Sequence, residues 1–363
     1  MAGAVSALLG MEYAGRKHCR ISPERQKPLQ CAGGYQPGAD AGPTPSGAPV
    51  DSANLEGLLS VALEGPPFRA LREERDARRS EGELVGIGIS LYLEPCGQGL
   101  ECASAAKNGD GSITIRSGTS SQGQGHATAF AQIAADVLRC PLAAITLIEG
   151  DTQGIPNGRG AVASRSIAIG GSAVRKAAEQ LAQRIAMSSD PAAPLSVSCQ
   201  YHAANEAWSS GCCVALVSID ADTGTLRIEK VYWVDDAGLI INPLLAQGQL
   251  LGGLAQGVGS VTCEQLVFDQ DGQLLSGSLM DYAIPRASDM PKIEFASLST
   301  PTEANLLSAK GVGESGCIAL PPAVLNAVYD ALDARGVERI DLPLSAPNLW
   351  RHLRDAAAAR SAR

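Results

Sequence analysis

No two of the ten cysteines stand as a C-x-x-C pair. The pattern from which four-cysteine zinc sites and iron–sulfur centres are built is therefore missing. The four histidines, His18, His126, His202 and His352, never pair at helical spacing either. Most of the cysteines then read as small apolar packers in a reducing cytosol. Aromatic residues are scarce at 4 %, and the 29 basic residues fall short of the 38 acidic ones, a net charge of −9. That balance argues against a general nucleic-acid binder, which needs clustered Lys and Arg to neutralise phosphates. Residues 1–10 are apolar without a basic start, so no secretory signal is expected, and the chain reads as cytoplasmic. The longest uncharged run, 237–263, could span a bilayer by length, but it holds Asn242, Pro243, three glutamines and repeated glycines. A buried helix behind a leading loop is the better reading, so no membrane is expected.

What is present is a 45 % hydrophobic chain of 363 residues, enough for a sizeable core, with 40 Gly and 21 Pro favouring tight turns and close backbone approaches. Residues 1–50 are Pro/Gly/Ala-rich without periodicity and read as an irregular lead-in. Residues 51–83 read as a charged helical connector, 84–350 as the main domain and 351–363 as a tail. Within the main domain "LVGIGISLYLE" is a buried strand, "GSITIRSG" an alternating one and "AAITLIEGD" a third. Apolar spacing predicts helices over 126–139, over 172–187 with Ser172 as N-cap, over 245–262, and over 322–335 with Pro322 at its start and Gly336 at its stop. "CVALVSID" and "TLRIEKVYWVDD" flank a turn at 222–224 and read as a hairpin. Strands and helices mix without strict βαβ alternation, so an α+β fold is expected.

Three segments are able to carry chemistry. "SSQGQGHATAFAQ", 120–132, places Gly-x-Gly between a strand and a helix, which makes either an anion cradle at the helix dipole or simply a tight turn. It is not the dinucleotide fingerprint, because Thr128 holds the third glycine position. "GRGAVASRSIAIGGSAV", 158–174, surrounds Arg165 with small residues and two hydroxyls, Ser164 and Ser166. This suits a phosphate, or a structural arginine capping a loop. "SAKGVGESGCIALPPAVLNAV", 308–328, sets the single carboxylate Glu314 in a Gly-rich loop, where it can act as a general base or merely be solvated.

Taken together and in this order, the segments resemble the C-terminal molybdopterin-binding half of the xanthine dehydrogenase/aldehyde oxidase/CO dehydrogenase large-subunit family. "SQGQGHATAFAQIAADVL" resembles its first cofactor loop and "ASRSIAIGGSAV" its second. "DDAGLIINP" with "GQLLGGLAQGVG" resembles a third element, and "KGVGESG" its catalytic loop. The likeness runs over about 84–349. It implies the α+β molybdopterin-binding fold of that family and a molybdenum hydroxylase oxidising an aldehyde or N-heterocycle with water as oxygen source. The implied cofactor is molybdopterin with molybdenum, in its cytosine dinucleotide form, with no protein ligand to the metal. Gln124 would contact the molybdenum oxo group or the pterin, and Gly125, His126 and Thr128 would hold phosphate or pterin. Ala163, Ser164, Arg165 and Ser166 would line the cofactor path. Asp236 and Gln249 match the third element, Val312 and Gly313 the backbone near the pterin, and Glu314 the general base at the molybdenum hydroxide.

Two departures bear on this reading. Ala127 stands where many relatives carry an acidic residue. The family's first molybdopterin half is absent from this sequence, as are its iron–sulfur and FAD modules, which the resemblance assigns to partner subunits. The chain alone is then expected to hold only part of the cofactor. The rival reading is a truncated, non-catalytic remnant that keeps the fold and binds no cofactor alone; a plain nucleotide-binding module lacks a ribose-binding context.

Overall fold

The computed structural model describes residue 44 and residues 47–155, 157–337 and 339–361. Of the expected lead-in, residues 1–43, 45 and 46 lie outside the described residues. The expected helical connector is two helices, α1 (Leu55–Glu64) and α2 (Pro66–Ser80). Asn54 starts α1 by accepting the Gly57 N–H at 2.8 Å. Pro66 opens α2, where a missing N–H costs nothing.

The described strands form two mixed four-stranded sheets, which fits the α+β expectation. The first is ordered β1 (Leu84–Pro95), β6 (Trp208–Ile219), β7 (Leu226–Asp236) and β8 (Lys292–Ser297); only β7 and β8 are parallel. The second is ordered β4 (Ile145–Ile148), β3 (Ile113–Ser117), β2 (Gly99–Lys107) and β5 (Leu195–Ala203). The predicted strands and hairpin are β1, β3, β4 and β6–β7. Strands β2, β5 and β8 were not anticipated: their small and polar residues leave no continuous apolar run, and neighbouring strands complete them.

Strand β1 shows how the core is layered. Val85, Ile87, Ile89 and Leu91 face α1 and α2, packing with Leu58, Leu59 and Phe68. The alternate positions, Gly86, Gly88 and Ser90, face helix α6 (Ser315–Leu332). A Cβ on Gly86 would stand 1.9 Å from the Ala327 carbonyl oxygen, and one on Gly88 2.0 Å from that of Ala323. Ser90 donates to the Ala319 carbonyl at 2.6 Å. The small residues let α6 lie directly on the strand backbone. Helix α5 (Pro243–Thr262) crosses α6 just as closely, since a Cβ on Gly316 would come within 2.2 Å of the Leu254 nitrogen. The uncharged run is thus largely a packed helix, and no described helix is long and apolar enough to cross a membrane. Helices α3 (His126–Leu138) and α4 (Gly171–Met187) cover the second sheet through Phe130, Ile133, Val174 and Leu181.

Two local expectations are corrected. Ser172 is no N-cap: a π-helical turn, Ser166–Gly170, leads into α4, and the buried Ser172 hydroxyl donates back to the Ala168 carbonyl at 2.5 Å. Pro322 does not begin a helix; α6 begins at Ser315 and carries Pro321 and Pro322 inside it. Buried contacts of Ala319, Leu320 and Ala323 offset the missing N–H groups there. Most of the expected tail is helix α7 (Ala346–Ser361), anchored by the buried Leu349 and Leu353.

Candidate active site

Beyond β3 the chain turns through 118–125 into α3. Gly125 ends that turn in the left-handed region, φ 81°, and a Cβ there would lie 2.6 Å from Leu245 Cδ2. The backbone conformation favours glycine there. No side chain caps α3, so its first N–H groups and dipole face the turn. His126 is 3 % exposed and stacked on Phe130, ring centroids 4.6 Å apart. Its Nδ1 stands 2.9 Å from Glu149 Oε2, while its buried Nε2 has no partner. Gln124 is half-buried, its Oε1 accepting the Gln122 N–H; Thr128 is exposed on the first helical turn.

The second loop carries two non-glycine residues in the left-handed region, Ala163 at φ 49° and Ser164 at φ 51°. Such strain persists only where the surroundings hold it. Here the Ser164 carbonyl lies against Gly311, and the Ser164 hydroxyl reaches Glu314 Oε2 at 3.5 Å. Ser166, half-buried, begins the π-helical turn. Arg165 is turned inward and 2 % exposed. Its Nη1 pairs with the buried Glu101 at 2.9 Å, and Nη2 donates to the Leu100 carbonyl at 2.7 Å. Only Nε is left, buried and without an acceptor. The guanidinium fork thus clamps its own loop to β2.

The third loop is rooted by a buried ion pair, Lys310 Nζ to Asp236 Oδ2 at 3.4 Å. Asp236 Oδ1 also accepts the N–H groups of Gly238 and Thr300, so this carboxylate is enclosed by protein. The Gly311 N–H points to the Cys96 sulfur at 3.0 Å. Val312 and Gly313 are half-buried, and Glu314, exposed, stands at the head of α6. Gln249 Oε1 lies 3.9 Å from where a Gly313 Cβ would be.

Helix α5 joins these parts. Leu245 touches Gly125, Gln249 faces Gly313, and Gly253 meets Gly316. The three α5 residues are four apart and share one helix face, each about 6 Å further along the axis. Gln249, Ser164, Val312, Gly313 and Glu314 therefore meet near one end of that face, with the Gly125 turn against its beginning. Asp236 and Arg165 sit beneath as supports.

One residue missed in the sequence lies under this cluster. Glu94, near the end of β1, is 3 % exposed. Its Oε2 is 3.4 Å from both the Ser209 and Ser315 hydroxyls, and its Oε1 has no hydrogen-bond partner. Burial pushes this carboxyl up to about 8; Ser164 opposes the shift and the neighbouring Glu314 adds to it. The available signal was an acidic residue closing an otherwise apolar strand. Burial likewise pushes the thiols of Cys96 and Cys212 up to about 12, in keeping with cysteines that pack.

Comparison with known proteins agrees with this architecture. The molybdopterin cofactor-binding domain model matches residues 62–199 and 191–291. The nicotine 6-hydroxylase large subunit of Paenarthrobacter nicotinovorans is 31 % identical over 82 % of this chain and 44 % of its own length. CO dehydrogenase from Oligotropha carboxidovorans superposes with a TM-score of 0.81 at 29 % identity, over 87 % of this chain and 47 % of that one. Quinoline 2-oxidoreductase from Pseudomonas putida 86 gives 0.80 at 27 % identity, over 86 % and 47 %. The chain spans less than half the length of these relatives.

Proposed function

The chain belongs to the molybdopterin cofactor-binding domain family, and from that premise we propose that it is the second molybdopterin-binding part of a molybdenum hydroxylase large subunit. The observation that carries this reading is the meeting of Ser164 and Glu314, 150 residues apart, beside Gly311 and Gly313. The residues present suit an acceptor-rich cofactor: α3 is uncapped, Arg165 Nε is a buried donor without a partner, and so is His126 Nε2 when it carries the ring proton. Gln124, Gly125, His126 and Thr128 would hold pterin or phosphate. Ala163, Ser164 and Ser166 line its path, with Arg165 behind them, and Gln249, Val312 and Gly313 close it. When bound, the cofactor supplies a two-electron redox centre beside a water-derived oxygen. Glu314 Oε2 takes up the proton released as the substrate is oxygenated, and the Ser164 hydroxyl orients that oxygen.

The substrate class is an aldehyde or an N-heterocycle; the relatives named for nicotine and quinoline favour the latter. The cofactor is the cytosine dinucleotide form. The partners are the complementary molybdopterin-binding half and iron–sulfur and FAD subunits, in the cytoplasm; two relatives named as a large subunit and a large chain support a multi-subunit assembly. The test is molybdenum and nucleotide content of the chain alone and co-expressed with those partners, followed by turnover. Stoichiometric molybdenum only in the complex, with oxidation of a heterocycle or aldehyde, is expected. A complex without molybdenum would instead favour the remnant.

A further inference from the structure

Helix α5 has no charged residue in its 20 positions. Leu250, Leu254 and Val258 bury one side of it in the core. The other side is open and also apolar. Leu244 and Leu251 are 78 % and 39 % exposed, and nothing lies within 4 Å of where a Cβ on Gly248 or Gly252 would stand. These four positions recur at helical spacing and form one stripe. Further along the stripe a Cβ on Gly259 would meet Glu264 and Pro285, so the arm 264–285 crosses its end. Among its described residues the arm has no helix or strand, only a Phe268–Leu274 bridge. Its polar groups pair with each other, Tyr282 donating to Glu264 and the Val267 N–H to Ser276. Its apolar side chains face outward: Leu279 and Met280 are 80 % and 96 % exposed. A helix that is apolar all round belongs in an interior, and an apolar face this extended marks an interface.

We infer that this face, the open stripe of α5 with the arm, docks the complementary molybdopterin-binding half, which lays a segment backbone-close over Gly248 and Gly252 and brings Lys or Arg to the rim. This rests on the reading of the chain as one part of a large subunit. Position and charge choose the occupant. Leu245 and Gln249 follow Leu244 and Gly248 by one residue, about 100° round the helix, and face Gly125 and Gly313. Whatever covers the stripe therefore borders the place where Ser164 meets Glu314. From Ala237 to Pro285 there is no basic residue, while the arm carries Glu264, Asp269, Asp271 and Asp281. A second copy would set this acidic rim against itself. A membrane surface is bound through Lys and Arg that the face lacks. A partner with a basic rim complements it. The unmatched part of the relatives, more than half of each, is ample to supply that cover.

The experiment compares the full 363-residue chain, wild type and Gly252→Leu, alone and co-expressed with the complementary half and the iron–sulfur and FAD subunits. Gly252→Leu enters open space and improves helix propensity, so the variant chain alone should unfold no earlier in urea. Its yield of complex should nevertheless fall about tenfold or more, because overpacking a close contact weakens it. Hydroxyl-radical oxidation reads the face directly. In the chain alone Met280 should react as fast as Met187, itself 87 % exposed, and in the complex Met280 should be protected. A molybdenum-loaded complex that tolerates Gly252→Leu, or leaves Met280 unprotected, would overturn the docking face and leave the proposed function intact. Failure to form any complex would overturn both. Met280 protected in the chain alone would also overturn the proposal: a dimer in sedimentation would give the face to a second copy, a monomer to residues 1–43. Flotation of the chain with phosphatidylglycerol vesicles, lost in Leu279→Ser, would give it to a membrane instead.

Discussion

The Ser164 carbonyl oxygen fills the space that a side chain on Gly311 would need: a Cβ there would stand 2.1 Å away. The obstacle is backbone, so it cannot be relieved by a rotamer change. Gly311→Ala should therefore push the two loops apart, cost about 1–3 kcal/mol, and separate Ser164 from Glu314. Gly248, a helical glycine with nothing within 4 Å, is the control. Gly248→Ala should stabilise the chain by about 0.5–1 kcal/mol. Urea unfolding of the two variants measures both; equal stabilities would show that the loops do not depend on glycine.

Arg165 and Glu101 form an ion pair whose side chains are 2 % and 0 % exposed. Removing the cation leaves a buried carboxylate held only by neutral donors such as Thr119 and the Cys102 N–H. Arg165→Ala should lose about 3–5 kcal/mol, read by urea unfolding, and the charge-free pair Arg165→Met with Glu101→Gln should recover much of it. A loss below about 1 kcal/mol, the range of an exposed pair, would mean that water reaches Glu101.

The Gly-x-Gly turn before α3 was legible because glycine spacing and helix periodicity are local. So was β1, whose run is free of charge from Leu84 to Leu93. What Gly86 and Gly88 are for was not legible: the reason is α6, more than 230 residues later in the chain. Arg165 read as a phosphate ligand or a loop cap, and its partner Glu101 lies in β2, a strand whose "GLECASAAK" gives no apolar alternation. Pro321 and Pro322 look like a helix boundary locally, and packing against α5 overrides them. Glu94 looks like the solvated end of a strand until the Ser315 end of α6 covers it. Local chemistry was readable; the pairing of distant segments that decides between a site and a support was not.

Stability should depend on pH through Glu94. Its carboxyl is raised from 4.5 to about 8 in the folded chain, so between those values the folded state binds more protons than the unfolded one. Stability then falls as pH rises through this window, by about 1.4 kcal/mol for each unit of pKa difference. Asp235, raised from 3.8 to about 6 by burial against the Tyr92 and Trp233 hydrogen bonds, adds a loss of the same sign at lower pH. Glu94→Gln removes the first contribution. Its stability relative to wild type should rise between pH 5 and 8 and level off above. A stability difference that stays flat across that range in denaturant titrations would show that Glu94 ionises normally.

The decisive variant for chemistry is Glu314→Gln. The side chain is exposed at the head of α6 and accepts from the Ser164 hydroxyl of another loop at 3.5 Å. An amide of the same size keeps that contact, so folding and cofactor content should stay near normal. What the amide cannot do is take up a proton at Oε2. Loss of a general base slows turnover by about 10²–10⁴-fold, and more where base and nucleophile act as one unit. Turnover of a heterocycle or aldehyde by the assembled complex, normalised to bound molybdenum, measures this. Retention of more than about a tenth of wild-type activity, well short of the smallest of those losses, would return Glu314 to the role of a solvated carboxylate in a glycine loop.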